Sequence, residues 1–177
     1  MTDQLPTKVF RSVLGKPCWN VKVGHGSFLT LEFGSPHLEI SEPVASAKGS
    51  PKRIRELLAR RQVFVHGQWH LWLMYCDWAV QRKGKRLGDS RTKTSARRAA
   101  DFLNGQKLIQ FSIAPDSVET VFKFDLGATL KTFSYDTRGE QWLLFDPSRK
   151  VLALRADGRY SYGRAHVPTK DTSWKRL

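Results

Sequence analysis

The chain has little of the chemistry that marks a secreted, membrane-bound or metal-binding protein. Its 177 residues include only two cysteines, Cys18 and Cys76, too few for a disulfide framework and without the spacing of a metal site. No apolar run approaches the roughly 20 residues that cross a bilayer. The segment Met1 to Val13 lacks the apolar stretch of a signal peptide. We therefore expect a soluble, cytoplasmic protein that makes no membrane contact.

Signatures of the common enzyme classes are also missing. The chain has no Walker loop, no GxSxG, no HExxH and no CxxC. Gly24-His25-Gly26 lies within a predicted hairpin, not between a strand and a helix as in a dinucleotide fold. These absences disfavour the familiar enzyme classes and leave a novel enzyme open. They give no reason to expect a cofactor.

Potential metal ligands are scattered along the chain. His66, His70 and Cys76 are close in sequence, and His25 and His37 lie in predicted turns. A zinc site needs three or four convergent ligands, and no pair among these residues has the familiar spacing. We therefore predict no metal site and interpret the histidines as core or surface residues.

A metal-dependent nuclease would need clustered carboxylates, usually beside a lysine such as Lys123. Most of the candidate carboxylates fall at turn positions, where aspartate is favoured for backbone reasons. They are Asp77, Asp125, Asp136, Glu140 and Asp146. Turn chemistry explains this set better than catalysis does, so a nucleic-acid enzyme ranks third among our hypotheses.

Acidic residues are outnumbered by basic residues in two segments of the chain. Residues 48–98 hold 14 basic and three acidic side chains, and residues 164–177 hold four and one, whereas residues 1–47 and 99–163 are each neutral. The net charge of +14 is therefore concentrated in the central segment and the carboxyl-terminal tail. Such asymmetry points to an anionic partner.

The densest cationic stretch lies in residues 81–95, which we predict to be a mobile loop because Gly84 and Gly88 interrupt it. Long cationic side chains on a flexible backbone suit contacts with phosphates. A solvated loop that keeps the protein soluble is the alternative. The predicted phosphate contacts, including the start of the next helix, are Arg82, Lys83, Lys85, Arg86, Arg91, Lys93, Arg97 and Arg98.

An aromatic strand precedes this loop. Strand alternation over Trp69 to Trp78 places apolar residues on both faces, which is typical of a central strand covered on both sides. The functional alternative is a partly exposed face on which Trp72 and Trp78 stack against unpaired bases or anchor a protein partner.

The strand pattern predicts a mainly β (α+β) domain over residues 1–177, an antiparallel sandwich or open barrel with a carboxyl-terminal β-meander. Asp157-Gly158 predicts a two-residue type I′ hairpin turn. Further hairpins are predicted around Gly24–Ser27 and Gly67-Gln68, the second joining Val63–His66 to one strand over Trp69–Val80.

Two short helices are predicted between the strands. Ser50 would cap the first, with Pro51 at its first position, and Thr94 or Ser95 would cap the second, which ends at Asn104-Gly105. Both would carry cations in the first turn, Arg97 and Arg98 in the second helix. Cations there oppose the helix dipole, and either a bound phosphate or nearby solvent and carboxylates would resolve the conflict.

These patterns favour a non-enzymatic binding protein. Its central basic segment, with Lys170, Lys175 and Arg176 of the tail, would contact DNA or RNA phosphates. The alternative is a protein-interaction or immunity-type accessory module that binds an acidic protein through the same basic surface.

Overall fold

Residues 4–165 and 172–177 are described by a computed structural model, and they form a mainly β protein with three short helices. The helices are α1 (Leu5–Arg11), α2 (Lys52–Leu58) and α3 (Lys93–Leu103). The strands are β1 (Cys18–Val23), β2 (Leu29–Ser41), β3 (Gln62–Leu73), β4 (Cys76–Arg82), β5 (Lys85–Asp89), β6 (Leu108–Ile113), β7 (Thr120–Phe124), β8 (Ala128–Ser134), β9 (Glu140–Phe145), β10 (Lys150–Arg155), β11 (Arg159–Arg164) and β12 (Lys175–Arg176).

The strands form two antiparallel sheets that share one core. The larger sheet has the order β1-β2-β3-β9-β10-β11-β12, and the smaller has the order β5-β4-β8-β7-β6. Buried residues of both sheets belong to a single hydrophobic cluster. The sandwich-like, mainly β architecture is therefore confirmed, and the described strands do not close into a barrel.

Helix α1, which the sequence analysis missed, supplies a core residue to this sandwich. The ring of Phe10 stacks on Phe111 of β6 with centroids 3.7 Å apart and meets Trp142 of β9 edge-on. The buried Trp142 indole donates its Nε1 hydrogen to Thr120 Oγ1 at 2.9 Å. Apolar packing and one satisfied polar contact thus tie the helix and both sheets together.

The aromatic strand differs from its prediction in two ways. A positive φ of 45° at Tyr75 breaks Trp69–Val80 into β3 and β4, which enter different sheets. No hairpin forms at Gly67, because β3 runs through it and pairs with β2 on both sides. A Cβ at Gly67 would lie 2.5 Å from the carbonyl oxygen of Phe33. The glycine therefore permits a close strand–strand approach at a bulge.

The helix starts also need correction, whereas the end of α3 at Asn104-Gly105 is confirmed. Pro51 is the N-cap residue of α2, and no side chain caps that helix. Thr92 caps α3, where its side chain accepts a hydrogen bond from the Ser95 amide. This earlier start places Lys93 in the first turn and moves Arg97 and Arg98 into the second.

The predicted meander is real but divided between the sheets, with β7 and β8 in the smaller and β9 to β11 in the larger. The β10–β11 hairpin forms, but only Gly158 has a positive φ, so its connection is a three-residue turn and not type I′. In the predicted basic tail, Lys175 and Arg176 form the edge strand β12 beside β11. Lys170 lies outside the described residues.

Candidate functional site

The segment predicted as a mobile loop is a β-hairpin. Strands β4 and β5 are joined by Lys83 and Gly84, whose φ values of 49° and 77° are both positive. Two consecutive positive φ angles define the tight type I′ turn, which matches the natural twist of the strands. The loop prediction is therefore wrong for Lys85–Asp89, which pairs with β4 as a strand.

Helix α3 packs directly on this hairpin. A Cβ at Gly88 would lie 2.3 Å from the Ser95 carbonyl oxygen and 3.0 Å from the Ala99 Cβ. The hydroxyl of Ser95 also accepts a hydrogen bond from the Asp89 amide at 2.9 Å. The absence of a side chain at Gly88 therefore lets helix and strand approach backbone to backbone.

All eight predicted phosphate contacts lie on this hairpin–helix unit, which comprises residues 82–98, and all eight are exposed. The Arg82 guanidinium lies over the Phe102 ring, 5.2 Å from its centroid, which links the hairpin to α3. Within the described residues, only Arg86 of the eight forms an ion pair, with Asp89 at 3.3 Å. The other cations of the unit have no carboxylate partner in the described part of the chain.

A cleft of about 210 Å³ opens beside the hairpin. Its lining residues are Asp77, Trp78, Ala79, Arg86, Asp89, Ser90, Arg91 and Phe133. The Ser90 hydroxyl donates to Asp77 at 2.8 Å, and Asp89 accepts a hydrogen bond from the Arg91 amide. Both carboxylates of the cleft thus have local hydrogen-bonding partners, in keeping with a structural role.

Of the other carboxylates proposed as a nuclease set, Glu140 begins strand β9, and the three aspartates lie in turns or connections between strands. Asp125 accepts a hydrogen bond from the Lys107 amide, and Asp146 accepts from the Ser148 and Lys150 amides. Asp136 likewise accepts from the amides that follow it in its own turn. In residues 4–165 and 172–177, these carboxylates form no three-residue cluster suited to a metal ion.

The two tryptophans do not share the partly exposed face on which the functional alternative would place them. Trp78 is buried, with 1% of its surface exposed, and its indole donates to the Ser27 carbonyl oxygen. Trp72 is half-buried in the other sheet, where Phe28 meets it edge-on. The break at Tyr75 separates the residues that uninterrupted alternation would place on one face. Trp78 is therefore a core residue and not a base-stacking platform.

A second group of polar side chains, missed by the sequence analysis, gathers around Glu32. The Glu32 Oε1 atom lies 2.7 Å from His70 Nδ1 and 3.1 Å from His66 Nδ1, and the Gly67 amide donates to Oε2 at 2.9 Å. These three side chains have the ligand atoms and spacing to hold a metal ion. The only sequence signal is a pair of histidines four residues apart on a strand, with a glutamate on the neighbouring strand.

Burial alone would raise the pKa of Glu32, whose side chain is 3% exposed. Four interactions outweigh this effect of burial and lower the pKa below its ordinary value. They are the hydrogen bond and the charge of His70, the hydrogen bond from the Gly67 amide and the hydrogen bond of His66. The carboxylate is therefore charged at neutral pH inside the cluster.

By contrast, burial raises the pKa of the Cys18 and Cys76 thiols to about 12, so neither is reactive at neutral pH.

A third feature is the arm, which we define as residues 36–66. It consists of the outer halves of β2 and β3 with α2 between them, and these strand halves pair only with each other in the described structure. Four aliphatic side chains lie on one face of this ribbon and are 47% to 64% exposed. They are Leu38, Ile40, Val63 and Val65.

Comparison with protein-family models, with curated proteins and with solved structures found no match for this chain. The function must therefore be argued from the geometry of the molecule itself. None of the helices in the described ranges combines the length and the apolar character needed to cross a membrane.

Proposed function

We propose that the hairpin–helix unit binds nucleic acid through its phosphates, without catalysis. The observation that carries this proposal is the packing of α3 on β5 at Gly88, which holds eight exposed cations on one compact unit. Ordering the cations before binding lowers the entropic cost of forming several phosphate contacts at once. A reducing, cytoplasmic setting belongs to the same proposal, since both cysteines are free thiols.

The expected mode of binding is electrostatic and insensitive to sequence. Lysine and arginine contacts with phosphates release condensed counterions, so affinity falls steeply as salt rises. Base stacking has no support, because Trp78 is buried and Trp72 lies in the other sheet. We therefore expect little discrimination among nucleotide sequences.

The test is a fluorescence-anisotropy titration of the full chain with labelled single- and double-stranded DNA and RNA at several salt concentrations. One variant removes four cations of the unit by the substitutions Arg82→Ser, Lys83→Ser, Lys85→Ser and Arg86→Ser. A matched control removes the same charge from the arm by Lys52→Ser, Arg53→Ser, Arg55→Ser and Arg60→Ser. Circular dichroism checks that both variants fold.

We expect the hairpin variant to lose much more affinity than the arm control. For duplex DNA, the slope of log K against log salt should become shallower by about 0.9 for each phosphate contact removed. Equal losses in the two variants would show that net charge alone drives binding. No binding by the native chain at low salt would overturn the proposal.

The arm supports a second candidate function, the binding of an acidic protein partner. Its exposed aliphatic face adjoins a segment, residues 48–61, that holds six cations and one acidic residue. An apolar centre with a charged rim is typical of protein interfaces. A photo-crosslinking residue at position 40 should capture acidic proteins in cells. The same residue at position 109 is the control, because Ile40 and Ile109 are both 54% exposed.

A further inference from the structure

The cluster around Glu32 combines ligand chemistry with geometry in a way that the nucleic-acid proposal does not use. We propose that Glu32, His66 and His70 bind one divalent transition-metal ion of the zinc class. The carboxylate would supply one oxygen and each histidine its Nδ1 atom. One ligand atom from each of the three side chains already lies within 4.8 Å of the other two, and both Nδ1 atoms lie within 3.1 Å of Glu32 Oε1.

The donor set selects the class of metal. Imidazole nitrogen with a carboxylate oxygen suits zinc and the neighbouring transition metals, whereas calcium and magnesium prefer all-oxygen sites. Two histidines with one glutamate is a known three-ligand arrangement for zinc, which leaves a fourth position for water. The side chains of His66 and His70 are 29% and 19% exposed, so solvent reaches the histidine side of the cluster.

The distances between the carboxylate oxygen and the two imidazole nitrogens require little rearrangement. Tetrahedral ligands about 2.0 Å from a zinc ion lie about 3.3 Å apart. The two Nδ1–Oε1 distances are 2.7 and 3.1 Å, so each would widen by well under 1 Å. The Gly67 amide holds Oε2 at 2.9 Å and thereby orients the carboxylate with Oε1 between the two rings.

The backbone explains why the two rings meet. Residues four apart on an ideal strand are about 13 Å apart, too far to share a ligand. The strand register shifts between Phe33 and Pro36, beside Gly67, and brings the rings of His66 and His70 to a centroid distance of 5.2 Å. The same register places Glu32 directly opposite His70.

Groups around the histidines resemble the outer shell of a metal site. A carboxylate oxygen of Glu39 lies 3.8 Å from His66 Nε2, near enough to stabilise a proton on that nitrogen once Nδ1 coordinates the ion. The ring of Phe64 stacks on the ring of His66, and the ring centroids of Phe145 and His70 are 5.7 Å apart. Aromatic neighbours on both sides restrict rotation of the two imidazoles.

Metal binding would change the protonation of the histidines in a defined way. Without metal, an Nδ1 that donates to Glu32 carries a proton. Coordination needs the Nδ1 lone pair, so a neutral ring must move its proton to Nε2 through solvent, and a charged ring must release one proton. The tautomer of both histidines is therefore a direct reporter of binding at this site.

The test uses the full chain after treatment with a chelator and exhaustive dialysis. Calorimetric titration with Zn²⁺ should give one site per chain, and Co²⁺ should give the d–d absorption bands of a four- or five-coordinate ion. Nitrogen NMR should show both histidines changing from the Nδ1–H to the Nε2–H tautomer as Zn²⁺ is added. Calcium and magnesium should produce none of these changes.

Substitutions of single side chains and of the histidine pair test which residues bind the metal ion. His66→Gln with His70→Gln should abolish binding, whereas His25→Gln in the β1–β2 turn should leave it unchanged. Glu39→Gln should weaken binding by about tenfold, the effect expected of an outer-shell partner. The four-serine hairpin variant should bind the metal as the native chain does, which separates this test from that of nucleic-acid binding. A native chain that binds no Zn²⁺, or whose histidine tautomers do not change when Zn²⁺ binds, would overturn the proposal, even if the double variant fails to fold.

Discussion

Two regions carry most of the net positive charge, and they display it differently. The arm holds six cations in residues 48–61, and the hairpin–helix unit holds eight in residues 82–98. In the unit, the helix is capped by Thr92, and its buried Ala99 packs against Gly88 of β5. In the arm, α2 has no side-chain cap and no buried residue.

This difference shows that net charge does not define a binding surface by itself. Cations on a packed scaffold keep their spacing and suit a repeating array of phosphates. Cations beside exposed aliphatic residues suit a partner that supplies both apolar surface and negative charge. The central basic segment of the sequence therefore corresponds to two surfaces, with different expected partners.

The largest expected effect is on the packing of the hairpin–helix unit. Gly88→Ala should lower the free energy of unfolding by about 3 kcal/mol, because its Cβ meets helix backbone that has no room to move. Gly163→Ala is the control, since a Cβ there would have no neighbour within 4 Å. Urea denaturation measures the free energy of unfolding of both variants. An unchanged free energy of unfolding in Gly88→Ala would show that α3 does not pack on β5 in solution.

A smaller effect should distinguish the two helix starts. Thr92→Ala removes the side-chain acceptor of the Ser95 amide and should cost about 1 kcal/mol of unfolding free energy. Ser50→Ala, before α2, should change it by less than about 0.5 kcal/mol, because that side chain caps nothing. Thr92→Ser should retain the native stability, because serine keeps the oxygen that accepts from the Ser95 amide. Equal effects at the two positions would contradict the comparison.

The smallest effect on stability is expected in the arm. Ile40→Ser and Val63→Ser should each change the unfolding free energy by less than about 0.5 kcal/mol, because more than half of each side chain is exposed. The same variants should weaken any complex formed through the arm. Denaturation at two protein concentrations is the check. A loss above about 1 kcal/mol that depends on concentration would show that the arm is buried in a self-associated form.

Local patterns predicted much of the fold because their physical basis is local. Alternating β-branched and aromatic residues with turn residues between them identified most strands, and Asn104-Gly105 identified the end of α3. Helix α1 was missed because its seven residues are too few to show a helical period. The caps were misplaced because several serines and threonines near each start are equally plausible from sequence.

The candidate site was predicted in part, and the limit is again physical. The eight cations of the unit were identified by charge alone, and all eight are exposed. Charge alone did not predict their placement on a hairpin, because Lys83-Gly84 lacks the Asn-Gly or Asp-Gly signature of a type I′ turn. Trp78 is buried, as the prediction of a covered strand expects, and its alternative role in base stacking is wrong. Alternation did not reveal that the chain changes sheets at Tyr75.

By itself, the sequence determined the mainly β class, the location of the charge and several hairpins, since each depends on neighbouring residues. Only the tertiary structure decided which strands share a sheet, that Gly88 serves helix packing, and that Glu32 meets His66 and His70. Glu32 and the two histidines are separated by more than 30 residues and meet through strand register. Register depends on pairing across the whole sheet, which no local pattern encodes.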